Sequence, residues 1–161
     1  MSLSKDGLNE LLEELKREEG FRANIYQCTA GVDTIGYGFN VNYLEEDELA
    51  LNNGVVEPMS REVADKILEL KLEKLKKEVY RAFPWIKNHP KKVQDALIEM
   101  AYQLGLTKMK GFSQTLRYIE VEDYSSAVRN LKNSRWAQQT PRRVNNLIKR
   151  LQRAKDDYKS F

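Results

Sequence analysis

The sequence is poor in the residues that metal sites and disulfides require. Its 161 residues contain one cysteine, Cys28, and one histidine, His89. A single cysteine excludes an internal disulfide, and one cysteine with one histidine argues against a structural zinc site. No run reaches the roughly 18 apolar residues of a membrane helix, and the first residues lack the basic and apolar regions of a secretory signal. We therefore expect one globular domain that does not insert into a membrane.

Basic residues are scarce early in the chain, and acidic residues are outnumbered later. Residues 1–59 hold 4 Lys and Arg against 12 Asp and Glu, whereas residues 60–161 hold 23 against 12. The net charge of +3 therefore combines −8 in the first part with +11 in the second. The basic part could meet an anionic polymer, or its charges could be the solvated faces of helices. No motif that reads nucleic acid is present, so we do not expect nucleic acid as a partner.

The first helix is predicted from leucines spaced i, i+3, i+4 and i+7 over residues 8–15. Gly20 occupies the position of a helix-terminating glycine, so Glu19 lies in the last turn. The partial negative charge of a helix C-terminus and the neighbouring Glu18 both disfavour an ionised Glu19. Such a place is poor for stability and suitable for a general acid.

Short extended segments and then helices are predicted after residue 20. Gly36 and Gly38 indicate a bulge or a close backbone approach within the second extended segment. Ser60 is a good N-cap for a long helix over residues 61–81, which Pro84 ends. The predicted strands are residues 21–26, 32–39 and 55–56, and the other predicted helices are residues 45–51, 93–104, 113–119, 123–133 and 140–158.

Three residues in the pattern E-x8-C-x5-T could cleave a glycosidic bond: Glu19, Cys28 and Thr34. The reaction needs a protonated acid for the leaving oxygen and a second group that activates water or attacks the sugar. Cys28 could act as a weak base or position water, and the Thr34 hydroxyl could hold that water. Each residue alone has a plainer interpretation, since a lone cysteine is usually a small buried hydrophobe and a lone threonine a strand residue.

The stretch EEGFRANIYQCTAGVDTIGYG, residues 18–38, resembles the active-site region of the phage-type lysozymes, glycoside hydrolase family 24. Two later segments are also similar to that family, in the same order along the chain. These are ALIEMAYQLGLTKMKGFSQTL, residues 96–116, and AVRNLKNSRWAQQTPRR, residues 127–143. The resemblance runs from about residue 10 to the C-terminus.

The resemblance implies an α+β, mostly helical, lysozyme-like two-lobe fold. A single domain over residues 1–161 would have a small three-stranded antiparallel sheet lobe at about residues 13–59 and a connecting helix at residues 60–81. The helical large lobe would cover residues 82–161, and the helix at residues 8–19 would lead into the active site.

The implied activity is that of a phage endolysin that hydrolyses the β-1,4 bond between N-acetylmuramic acid and N-acetylglucosamine in bacterial peptidoglycan. The resemblance makes Glu19 the general acid, and it implies that Cys28 and Thr34 position or activate the attacking water. Arg143 matches an arginine that lies near the catalytic glutamate. Residues that match the family's sugar contacts are Asn40, Tyr102, Thr115 and Asn130, with Gln103 and Phe112 nearby. No metal or other cofactor is implied. We expect a monomer that stays in the host cytoplasm until a holin releases it to the cell wall.

Two departures from the family pattern keep a second hypothesis open. Cys28 stands where an aspartate is usual, and Phe39 stands where a histidine is common. An inactive, glycan-binding module on the same scaffold would tolerate both changes. The single histidine, His89, lies in a polar NHPKK segment, and we predict that it is on the surface.

Overall fold

The computed structural model describes residues 8–159, with side chains from residue 8 to residue 154. The chain divides into two compact units, Met1–Lys74 and Leu75–Phe161, called here the first and the second unit. The predicted α+β, mostly helical class with a three-stranded antiparallel sheet is confirmed. The described helices and strands are α1 Leu8–Glu19, β1 Arg22–Gln27, β2 Asp33–Gly36, β3 Phe39–Asn40, α2 Glu46–Ala50, α3 Arg61–Ala82, α4 Lys91–Leu104, α5 Leu106–Lys110, α6 Ser113–Glu120, α7 Tyr124–Lys132, α8 Arg135–Gln139 and α9 Pro141–Lys159, with 3-10 turns at Val41–Tyr43 and Pro84–Asn88.

Helix α1 ends where the sequence predicts. Its four spaced leucines, Leu8, Leu11, Leu12 and Leu15, are all buried. Gly20 has φ +69°, and its N–H donates to the Lys16 carbonyl at 3.0 Å. This left-handed residue stops the helix, so Glu19 is its last residue.

The strands pair in the order β1-β2-β3, and all pairs are antiparallel. The predicted third strand at residues 55–56 is wrong, because the chain turns back at Tyr37–Gly38 and splits the predicted segment 32–39 into β2 and β3. Residues 55 and 56 form a loop instead. Their carbonyls accept hydrogen bonds from Asn52 Nδ2, at 2.8 and 3.3 Å.

Strand β1 lies at an edge of the sheet, and its outer side is covered by side-chain and backbone contacts from the segment before α3. The pairing register of β1 with β2 shifts between Arg22 and Tyr26. The Ile25 N–H donates to Glu57 Oε2 at 2.8 Å, and the Met59 N–H donates to the Ala23 carbonyl at 2.8 Å. The edge strand is therefore held by groups from within its own unit.

Helix α3 begins with the predicted cap, since Ser60 Oγ accepts from the Val63 N–H at 3.2 Å. The division between the two units falls inside α3, after Lys74. None of the described helices is long and apolar enough to cross a membrane.

The second unit is built from helices around one apolar cluster. The long helices predicted for this part of the chain are confirmed as α4, α6, α7 and α9. The short helices α5 and α8 and the turn at Pro84–Asn88 were not predicted. Their few residues carry no clear 3.6-residue period. The buried members of the cluster include Val93, Leu97, Met100, Met109, Ile119, Leu131, Trp136, Leu147 and Leu151.

The prediction that His89 lies on the surface is wrong. Its side chain is 7% exposed, its Nδ1 lies 2.7 Å from the Tyr124 hydroxyl, and its ring meets Trp85 edge-on. Burial lowers the pKa of His89, although Glu122 and Glu120 act in the opposite direction. The polar neighbours in the sequence concealed a partner 35 residues away.

Candidate active site

Glu19, at the C-terminus of α1, lies directly against the hairpin turn between β2 and β3. Gly38 in that turn has φ +73°. A Cβ atom on Gly38 would collide with Glu19 Oε2 and would lie 3.2 Å from Glu19 Cδ. Only glycine allows the turn to approach the carboxyl group this closely. The close backbone approach predicted at Gly38 is therefore confirmed, and its neighbour is the predicted general acid.

Cys28 begins the turn between β1 and β2 and is partly exposed. The turn closes with a hydrogen bond from the Gly31 N–H to the Cys28 carbonyl at 2.8 Å, and the Cys28 N–H donates to the Val32 carbonyl at 3.1 Å. Hydrogen bonding from the Val32 backbone, and next from the Ala30 backbone, lowers the pKa of the Cys28 thiol. The Thr34 side chain lowers it further. This arrangement favours the thiolate, which is the basic and nucleophilic form of cysteine.

Thr34 lies on β2 and is 5% exposed. Its hydroxyl donates to the Val32 carbonyl at 2.8 Å and also contacts the Cys28 thiol. A hydroxyl has one proton to donate and can accept at the same time. Thr34 can therefore donate to Val32 while Cys28 is neutral and turn its proton toward a thiolate when one forms.

Asn40 lies next to Thr34 across the sheet, on β3. Its Oδ1 accepts from the Asn42 N–H at 2.9 Å and so caps the turn at Val41–Tyr43. The carbonyl side of the amide is thus fixed by the backbone, and its Nδ2 group is the part that can donate to a ligand. The first unit therefore contains four of the predicted site residues, Glu19, Cys28, Thr34 and Asn40.

Thr115 and Asn130 form a pair in the second unit. Thr115 is fully buried, and its hydroxyl donates to Asn130 Oδ1 at 2.6 Å. The threonine fixes the orientation of the asparagine amide, so Asn130 Nδ2 points away from Thr115. Because Thr115 is fully buried, its role is to orient Asn130 rather than to contact a ligand. Asn130 itself lines a pocket.

That pocket has a volume of about 470 Å³ and belongs to the second unit. Phe112 and Trp136 meet edge-to-face at 5.9 Å and supply an aromatic wall. Aromatic surface with a few polar groups is typical of sites that bind small polar ligands, sugars included. The pocket is lined by Leu104, Lys108, Gly111, Phe112, Ser113, Gln114, Asn130, Arg135, Trp136 and Gln139. The predictions named Phe112 and Asn130 but missed Trp136, whose only signal was its place in the SRW segment.

Gln103 lies on α4 beside a buried ion pair. Its Nε2 donates to Glu99 Oε1 at 3.2 Å, and Arg150 Nε lies 3.2 Å from Glu99 Oε2. Gln103 Oε1 is buried and has no hydrogen-bond partner within the described residues. The two remaining predicted residues are both partly buried, Tyr102 on α4 and Arg143 in the first turn of α9.

Three carboxylates in the first unit come close enough together to hold a metal ion: Glu45, Asp47 and Glu48. Lys74 Nζ already lies among them, 2.6 Å from Glu45 Oε2, 2.7 Å from Asp47 Oδ1 and 3.4 Å from Glu48 Oε2. One ammonium group thus offsets part of their charge, and the cluster joins α2 to α3.

Comparison with known proteins gives a consistent result. The sequence profile of the family described as phage lysozyme matches residues 16–154. Probable T4-type lysozyme 1 of Dictyostelium discoideum is 25% identical over 162 residues, covering 88% of this chain and 92% of that protein. Probable T4-type lysozyme 2 of the same organism is 27% identical over 160 residues, with the same coverage of 88% and 92%. The pre-baseplate central spike protein Gp5 of Enterobacteria phage T4 is 27% identical over 149 residues, covering 83% of this chain and 26% of that protein.

Proposed function

Because the chain belongs to the phage lysozyme family and is a lysozyme-type peptidoglycan hydrolase, we propose that it cleaves the β-1,4 bond between N-acetylmuramic acid and N-acetylglucosamine. In this proposal Glu19, Cys28 and Thr34 are the catalytic residues. All three belong to the first unit.

The proposal assigns the general acid to Glu19. The carboxyl group stands at the C-terminal end of α1, where the helix dipole disfavours a negative charge. The backbone at Gly38 restricts the positions that the carboxyl group can take. A protonated carboxyl group held in one place can give its proton to the leaving glycosidic oxygen.

The observation that carries the proposal is the environment of Cys28. A thiol at its ordinary pKa would be mostly neutral near pH 7 and a poor substitute for a carboxylate base. Here hydrogen bonding from the Val32 and Ala30 backbone lowers the pKa of the thiol. The lower pKa increases the fraction of thiolate, and the thiolate takes a proton from the attacking water while the water oxygen bonds to the anomeric carbon. The proton given up by Glu19 goes to the leaving oxygen, so the charges balance.

Sugar binding is assigned to the residues that the family resemblance predicted, Asn40, Tyr102, Thr115 and Asn130. The pocket next to Asn130 supports this assignment, because Asn130 Nδ2 can donate to an acetamido carbonyl and the Phe112 ring can contact an apolar sugar face. Thr115 would act by orienting Asn130. Gln103 and Arg143 would support the site.

The test is the release of reducing ends from purified peptidoglycan, with the products identified by mass spectrometry. The wild-type protein should give products that end in reducing N-acetylmuramic acid. Glu19→Gln should lower turnover by about 100-fold or more, because the general acid is lost. Retained activity in a folded Glu19→Gln variant would sink the assignment. Anhydro ends would indicate a lytic transglycosylase, and binding without release would indicate a glycan-binding module.

A matched series at position 28 tests the role of the thiolate. Cys28→Asp should keep activity, and it should move the acidic limb of the pH–rate profile to lower pH, because a carboxylate ionises near pH 4. Cys28→Ser keeps the size of the side chain and cannot ionise near neutral pH, so activity should fall by about 100-fold. Equal rates for wild type and Cys28→Ser would show that Cys28 only packs. The anomeric form of the first product distinguishes attack by water from attack by sulfur.

We also propose that the protein is a monomeric phage endolysin that waits in the host cytoplasm for a holin. Expression in a host without a holin should leave the cells intact. Permeabilising the inner membrane should then cause lysis with the wild-type protein and not with Glu19→Gln. Lysis without permeabilisation would contradict the holin requirement.

A further inference from the structure

A polar network in the first unit joins the segments on both sides of Glu19. At its centre is Asp65, on α3. Asp65 Oδ1 accepts from the Tyr37 hydroxyl at 2.6 Å and lies 3.2 Å from Lys16 Nζ. Lys16 also lies 3.2 Å from Glu13 Oε1. One carboxylate oxygen thus contacts both the hairpin turn and helix α1.

Tyr37 fixes the hairpin turn by packing as well as by hydrogen bonding. The residue is 2% exposed, and its ring lies 5.7 Å from the Phe21 ring and 6.3 Å from the Phe39 ring. Burial, and next the Asp65 carboxylate, raise the pKa of Tyr37 to about 12. The phenol is therefore a neutral donor throughout the physiological pH range, and the bond to Asp65 persists.

Both partners of Asp65, Tyr37 and Lys16, belong to segments that lie next to Glu19. Tyr37 precedes Gly38, whose backbone leaves no room for a Cβ beside Glu19 Oε2. Lys16 lies one turn before Glu19, and its carbonyl accepts from the Gly20 N–H at 3.0 Å. Because the Gly38 backbone lies so close to the Glu19 carboxyl group, a shift of the hairpin turn relative to the last turn of α1 would change the space available to that group.

We propose that Asp65 is a positioning residue for Glu19, and that it sets the distance between the hairpin turn and the end of α1 through Tyr37 and Lys16. The inference rests on the proposed role of Glu19 as the general acid. Asp65 is not a catalytic residue in this account, since it acts only through the two segments it holds. A shift of about 1 Å in a catalytic group is enough to lower a rate by up to a hundredfold.

Two conservative variants separate the contacts of Asp65. Tyr37→Phe keeps the buried ring and the ion pair with Lys16, and it removes only the hydroxyl. Asp65→Asn keeps an acceptor for Tyr37 and removes the charge that holds Lys16. Steady-state kinetics on soluble peptidoglycan fragments should show kcat lower by about 3- to 30-fold in each variant, with KM within about twofold of wild type. The double variant should lose little more than the worse single variant, because the hairpin turn and α1 are linked through both contacts of Asp65 and breaking either one already interrupts the link.

Tyr124→Phe is the matched control. It removes a tyrosine hydroxyl that contacts a buried partner, His89 Nδ1 at 2.7 Å, in the second unit. Its thermal midpoint should fall, and its kcat should match wild type. A purely structural role for Tyr37 and Asp65 would lower their midpoints in the same way and leave kcat unchanged.

The outcomes separate the inference from the proposed function. Unchanged kcat in folded Tyr37→Phe, or an additive loss in the double variant, would overturn the inference while Glu19→Gln stayed inactive. An active Glu19→Gln would instead overturn the proposed function. If Asp65→Asn does not fold, Lys16→Gln with Tyr37→Phe gives the same double-variant test, since each removes one of the two contacts.

Discussion

The two units differ in what holds them together. The second unit packs helices around one large apolar cluster, in which Leu97, Leu131 and Leu151 are at most 1% exposed. The first unit also buries apolar side chains, such as Leu11 and Leu68, and charged side chains hold its short helix α2 against α3 in addition. Glu48, for example, is 1% exposed, and its carboxylate lies 2.9 Å from Lys71 Nζ and 3.4 Å from Lys74 Nζ.

This contrast indicates a division of roles between stability and geometry. Apolar packing is roughly proportional to buried area and has little directional preference. Hydrogen bonds and ion pairs have defined directions, so they can hold a turn such as Tyr37–Gly38 in one position. The predicted catalytic residues Glu19, Cys28 and Thr34 all lie in the unit that contains this turn. Substitutions in the apolar cluster away from the pocket should therefore change stability, and substitutions in the turn beside Glu19 should change activity.

The largest expected effect is a cavity in the second unit. Leu151→Ala removes a fully buried side chain on α9 and should lower the free energy of unfolding by about 2–5 kcal/mol. Urea unfolding measures this, and kcat of the folded variant should be unchanged. The control is Val121→Ala, at a side chain that is 54% exposed, which should cost under about 0.5 kcal/mol. A lower kcat in folded Leu151→Ala would break the division of roles.

Gly38→Ala should instead lower activity in a protein that still folds. The backbone at φ +73° disfavours alanine, at a cost of about 1–3 kcal/mol, and the new methyl group would displace the Glu19 carboxyl group. We expect a folded protein whose kcat is lower by about 10- to 100-fold. Gly54→Ala is the matched control, since Gly54 has φ +80° and a methyl group there would meet no atom of the described residues within 4 Å, its chain neighbours aside. Equal activity in the two alanine variants would contradict the proposed contact.

His89 gives the smallest and most specific effect, a pH dependence of stability in the second unit. Burial lowers the pKa of His89 in the folded protein. The unfolded chain then binds a proton more readily, so stability is complete above about pH 6.5 and falls as the pH drops toward the folded pKa. His89→Gln should flatten this part of the stability curve measured by urea unfolding between about pH 4 and 8. An unchanged slope would show that other groups cause the acid sensitivity.

The sequence predicted the parts of the fold that have local signals. The spaced leucines of α1, the Gly20 terminus and the Ser60 cap each act within one or two turns, and each is confirmed. The third strand was misplaced, since β3 has two residues and is defined by its pairing with β2 rather than by its own composition. His89 was misplaced because its partner, Tyr124, is distant in the sequence.

The candidate site likewise has parts that the sequence predicted and parts that it could not predict. The identities of Glu19, Cys28 and Thr34 came from a spacing that is weak alone and from the family resemblance. The sequence also marked Gly38 as a place of close approach. It could not predict that the Val32 backbone contacts the Cys28 thiol, or that Asp65 meets Tyr37 and Lys16. Those contacts depend on how separate turns and helices come together in three dimensions.

The contacts along β1 have a consequence for self-association. An open strand edge presents unpaired N–H and carbonyl groups that another chain can extend into an aggregate. Here the Ile25 N–H is already bound by the charged side chain of Glu57, and the Ala23 carbonyl is bound by the Met59 N–H. A second molecule approaching this edge would have to displace both bonds and meet a carboxylate. The sheet is thereby protected from growing by strand addition at β1, which would suit the proposed endolysin as it accumulates before lysis.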